Sequence, residues 1–162
     1  MNLQPLISIN EVKKVGLVNQ NVDERLLSVA LLRAQDIDLS AIIGKKFLRD
    51  LQVKKQQNNL NILEVELIVN YILPYLAISV DIRSVVATNN RIQNAGTGSV
   101  NATEFANNQQ DKDLRFINYL KKDRDMIALD LVDFIESNEH EFPLYFGNGG
   151  DKPSFLDTIF VI

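Results

Sequence analysis

The stretch from Leu67 to Val80, LIVNYILPYLAISV, constrains the fold most. It carries no charged side chain between Glu66 and Asp81, and apolar residues dominate from Ile62 to Val86. A helix that is apolar nearly all round has to be covered on nearly all sides. A helix from about Asn61 to Thr88 at the centre of a bundle is therefore expected. Pro74 lies inside it. Proline has no N–H to offer the Asn70 carbonyl, and its ring crowds the preceding turn, so a kink is expected there. A membrane-spanning helix needs about 20 apolar residues. The uncharged run is shorter, which favours a buried core helix.

The segment before it, Val22 to Leu51, reads as two amphipathic helices packed through a tight joint at Ala34 to Leu39. The first runs from about Asp23 to Ile37, with Asn21 or Asp23 as cap. Leu26, Ala30, Ala34 and Ile37 share a face, with Leu27 and Leu31 beside them. Asp38 or Ser40 can cap the second stretch, whose buried side is Ile42, Ile43, Phe47, Leu48 and Leu51. Gly44 interrupts it, and it gives way to a polar loop at Val53 to Asn59. Upstream, Ser8 and Glu11 have capping-box spacing.

Downstream, Asn89 to Asn108 is rich in Asn, Gly, Ser and Thr and reads as a long polar loop or short hairpin. A last helix spans about Asp111 to Ser137, with Ile117, Leu120, Ile127, Leu131 and Phe134 at helical spacing. The fold class expected is mainly α: a helical bundle with a long kinked central helix and an extended C-terminal arm. The helical domain covers residues 1–146. Residues 147–162 form an apolar arm behind the hinge glycines Gly147, Gly149 and Gly150.

Composition limits the chemistry. The 162 residues carry a net charge of -4, one histidine and no cysteine. A net acidic chain lacks the general basic character that phosphate binding needs. Without cysteine there are no disulfides, thiolate metal sites or cysteine nucleophile. The first residues, MNLQPLISINEVKK, do not read as a signal peptide.

Few residues suggest chemistry. His140 sits among Glu136, Glu139 and Glu141, but neighbours at a helix end fan outward, whereas a metal needs convergent ligands. Asp130, Asp133 and Glu136 share a helical face and read as solvated. Gly96-Thr97-Gly98 lacks the third glycine and the preceding strand of a phosphate loop. Gly44-Lys45-Lys46 lacks the upstream glycine and the following Ser or Thr of a Walker loop. No catalytic residue, metal site or cofactor is expected.

Two sets of residues suggest partners. Lys45, Lys46, Arg49, Lys54 and Lys55 form the most basic stretch, read as a solvated face or subunit contact, with DNA phosphates as the alternative. Arg91, Asn94 and Thr97 in the polar excursion are candidates for the same subunit or DNA contacts. The other set is the C-terminal one: Tyr145, Phe146, Phe155, Leu156, Ile159, Phe160, Val161 and Ile162. Such an apolar end folds onto its own core or joins a partner by strand addition.

The order of several anchors resembles the head-to-tail connector (adaptor) proteins of tailed bacteriophages. These are Asn21-Val22-Asp23, Ala34-Gln35, Ile43-Gly44, Tyr71 to Ala77 and Phe142 to Tyr145. The likeness spans about Ser8 to Tyr145, and the asparagine-rich version is similar to those of crAss-like phages infecting Bacteroidetes. The resemblance implies a non-enzymatic virion protein made in the host cytoplasm. It implies a dodecameric ring bound by the portal on one side and a tail or stopper protein on the other. DNA passes through the lumen, and no membrane is involved. It also favours strand addition for the C-terminal arm, with the portal as partner. The rival readings are a small cytoplasmic helical interaction protein and a small enzyme without a recognisable motif.

Overall fold

The computed structural model describes residues 4–17, 22–94 and 102–146, with side chains described at 4–17, 22–85 and 112–146. These segments are mainly helical, with no strand among the described residues, as the apolar periodicity requires. Helix α1 spans Ile9–Val15, α2 Glu24–Arg33, α3 Ser40–Ile43, α4 Lys45–Gln56 and α5 Ile62–Leu67. Helix α6 spans Leu73–Asn94, α7 Ala102–Ser137 and α8 Pro143–Phe146.

The capping box before α1 forms. Ser8 Oγ accepts from the Glu11 N–H at 3.2 Å, and Glu11 Oε2 accepts from the Ser8 N–H at 2.6 Å. Asp23 caps α2 through the Arg25 N–H at 2.9 Å.

The joint expected at Ala34 to Leu39 is corrected. The chain does not turn there. It widens into a π-helical turn, Ala34–Leu39, that joins α2 to α3, and the Ser40 N–H reaches five residues back to the Gln35 carbonyl. Neither Asp38 nor Ser40 acts as a cap: Ser40 Oγ donates to the Asp36 carbonyl at 2.5 Å, and Asp38 pairs with Arg83. The extra residue rotates Ile37 outward, so it is 57% exposed rather than buried. The true break is at Gly44, whose φ of 81° and ψ of 144° suit glycine alone. On its two sides, Ile42 and Ile43 before it and Phe47, Leu48 and Leu51 after it are buried as expected. Helix α4 continues through Val53 to Gln56, where a polar loop was expected.

The central helix is α5 and α6 joined by a second π turn, Ile68–Ile72, in which the Leu73 N–H bonds the Ile68 carbonyl. This turn ends two residues before Pro74, so the widened backbone accommodates the ring that an α-helical turn would crowd. Leu67, Ile72, Tyr75, Leu76, Ala77 and Val80 are buried. Helices α1, α2 and α7 pack along α6. The helix is not covered all round: Ile62 is 86% exposed, and Val65 and Val69 also face solvent. By length and composition Ile62–Val85 is long and apolar enough to cross a membrane. Here it is the core helix, with Glu64, Asp81 and Arg83 held by ion pairs or backbone bonds.

The loop or hairpin expected from Asn89 to Asn108 is also corrected. Residues 89–94 continue α6 and residues 102–108 open α7. Asn, Thr and Gln cost only tenths of a kcal/mol each in a helix, and propagation from an anchored turn is cheap once nucleation is past. The anchor is a small second cluster, Ile82, Ile117 and Leu120, packed by Ile78 and Val85. Gly96 and Gly98 lie outside the described residues. At the other end of α7 an aromatic row closes the main core. Tyr71 stacks on Phe134 at 4.6 Å, and Phe142 lies 6.1 Å from Phe134 and 5.6 Å from Phe47.

Candidate interaction surfaces

The basic stretch divides by its position on α4. Lys45, Lys46 and Arg49 are exposed on the outer face. Lys54 and Lys55, expected with them as subunit- or DNA-facing, are half-buried and engaged within the chain. Lys54 Nζ pairs with Asp50 at 2.9 Å and with buried Glu64 at 2.6 Å, which raises the ammonium pKa, chiefly through the Glu64 hydrogen bond. Lys55 Nζ donates to the Leu6 carbonyl. Helical spacing explains the division, because Lys54 and Lys55 reach the core-facing side while Lys45 and Arg49, four apart, share the outer one.

Between α2 and α4 lies an open cleft of about 440 Å³, lined by Leu32, Gln35, Asp36, Ser40, Lys45, Leu48, Arg49 and Gln52. Its floor is a clamp the sequence did not reveal. Gln35, 1% exposed, accepts the Leu6 N–H at 2.7 Å through Oε1. Gln52 Nε2 donates to the Gln4 carbonyl at 3.0 Å. With Lys55, these side chains fix Gln4 to Ile7 over the core and satisfy backbone groups of an otherwise irregular segment.

Tyr145 and Phe146, expected among the partner-binding residues, pack instead on the protein's own core. Tyr145 is buried, meets Phe47 edge-on at 6.4 Å and Phe146 at 5.0 Å. Burial, helped by the charge of Glu136, raises its pKa. Phe155, Leu156, Ile159, Phe160, Val161, Ile162 and Thr97 lie outside the described residues. Arg91 and Asn94 are on the described backbone of α6, with side chains outside the description.

The remaining ionisable groups reinforce helix joints or lie on the surface. Asp81 accepts the Leu17 N–H at 2.8 Å and approaches Gly16 so closely that an added Cβ would stand 3.1 Å from Oδ1. His140, Asp130, Asp133 and Glu136 are exposed. Among the described residues no three metal-ligating side chains converge.

Fold and surface define a helical domain whose buried charges brace helices and whose outer faces offer contact. Residues 39–154 match a family described as a family of unknown function, DUF6712, which covers more than half of the chain. The chain belongs to that family. No curated protein and no solved structure matches it.

Proposed function

We propose that this chain is a structural virion protein. It would form a homo-oligomeric ring between the capsid portal and the next tail or stopper protein, with DNA passing through its lumen. The observation that carries the reading is where the connector-like anchors fall. Asp23 caps α2, and Ala34 and Gln35 are buried in the first π turn. Ile43-Gly44 is the positive-φ break. Tyr71 to Ala77 crosses from the second π turn through Pro74 into α6. Phe142 and Tyr145 close the aromatic row on Phe47. Each anchor sets a joint of one fold, so their order is more specific than scattered helix punctuation. Buried charges that serve as braces suit a building block.

Gold-labelled antibody against this chain, applied to intact tailed particles, tests the reading. Label concentrated at the head–tail junction is the expected result. Particles that lack the chain, or label confined to another part, would overturn it.

A further inference from the structure

Two outer faces of the protein are complementary in charge and both carry exposed apolar side chains. Leu32, Lys45 and Arg49 line the 440 Å³ cleft, and Arg25, Val29, Arg33 and Lys46 are exposed on the same two helices, α2 and α4. Of the carboxylates there, Glu24 pairs with Lys13 at 3.1 Å, while Asp36 on the cleft wall accepts from the neutral Gln35 amide at 3.3 Å and leaves the five cations in excess. On α7, Tyr119, Met126, Asp130 and Asp133 fall along one helical stripe. Tyr119 is 62% and Met126 66% exposed, and both aspartates are exposed. Exposed Glu139 and Glu141 extend the negative charge beyond the helix; Lys122, also exposed, shares the stripe by helical spacing, and exposed Lys112 and Arg115 continue it on the N-terminal side of Tyr119. Helices α2 and α7 each pack along α6 and scarcely touch each other. Their outer faces therefore look away from the central helix on separate sides.

We propose that a second copy of this chain lays its α7 stripe on the cleft between α2 and α4. Met126 and Tyr119 cover Val29 and Leu32, and Asp130 and Asp133 face Lys45 and Arg49. The apolar pairs supply contact area, and the opposed charges set register and exclude like-to-like pairing. Because the two faces differ, the contact is head-to-tail, and every bound copy presents a free face to the next. Such contacts close into a ring when the rotation between copies allows. This deepens the ring reading and rests on it only for closure.

The test is sedimentation of the full chain and three charge variants, at low and high salt. One variant carries Lys45→Glu with Arg49→Glu, another Asp130→Lys with Asp133→Lys, and a third all four. The wild type should sediment well above the 18.3 kDa monomer at low salt and shift toward it at high salt. Each double variant should run as a folded monomer. The fourfold variant should regain assembly, which a merely misfolded protein cannot do. A wild type that stays monomeric, an oligomer unmoved by the double variants, or a fourfold variant that stays monomeric overturns the pairing. None of these bears on label at the head–tail junction, so the two readings fail separately.

Discussion

Arg83 holds both carboxylate oxygens of Asp38, Nε to Oδ2 at 2.9 Å and Nη2 to Oδ1 at 2.6 Å. The pair ties the first π turn to the central helix. The Asp38 bond pushes the guanidinium pKa further up, so the charge is permanent. A fork donor on a carboxylate is the strong form of this contact. We predict that Asp38→Asn lowers unfolding stability by about 1–3 kcal/mol, the range for hydrogen bonds to charged groups. Arg83→Lys should recover only part of it, because a point charge replaces the planar fork. Urea unfolding of the two variants and their double mutant measures this. An unchanged midpoint in both would show that the pair does not brace the fold.

Packing along the central helix is graded. Leu76 is fully buried, whereas Leu73 is only partly buried. Leu76→Ala should cost about 2–5 kcal/mol, and Leu73→Ala clearly less. Equal losses at the two sites in thermal or urea unfolding would contradict this orientation of α6.

Gly44 occupies a backbone region that side chains avoid. Gly44→Ala should cost about 1–3 kcal/mol by strain alone. Lys46→Ala, on the exposed side of α4, is the fitting control. That control should stay within about 0.5 kcal/mol of the wild type. A Gly44→Ala protein as stable as the control would mean that the joint relaxes freely.

Tyr75 is buried, and desolvation pushes its phenol up to about 12 from 10.0. A raised folded-state pKa means stability that is whole below pH 10 and lost as pH climbs toward 12. Two pKa units correspond to about 3 kcal/mol. Tyr145, also raised, adds in the same direction. Unfolding followed across the alkaline range should show this loss, and Tyr75→Phe should remove most of it. Glu11 behaves oppositely. Its pKa is lowered, first by the Ser8 backbone N–H, so its contribution is present above the ordinary value of 4.5 and fades as pH falls through the folded-state pKa. Glu11→Gln should flatten the acid limb alone.

The mainly helical fold was legible because apolar spacing and capping chemistry are local. Ser8, Asp23 and the buried row Ile42 to Leu51 behave as their spacing requires. What stayed hidden depends on partners distant in the chain. A π turn leaves the residue pattern nearly unchanged while rotating Ile37 outward, so Ala34 to Leu39 imitates a joint. Asn-rich ends of α6 and α7 look like loop because their anchor, Ile82 against Ile117 and Leu120, lies outside the polar segment. The inward turn of Lys54 and Lys55 depends on Glu64 and on the Leu6 carbonyl, neither adjacent in sequence. Asp81 and Arg83, charges inside an apolar helix, were the available signal for the braces.

The most direct measurement is electron microscopy of portal-bearing capsids assembled with and without this chain. The predicted result is an added ring of density beneath the portal, coaxial with it, only when the chain is present. Capsids of unchanged outline, with the chain left wholly in the supernatant, would contradict the ring at the head–tail junction.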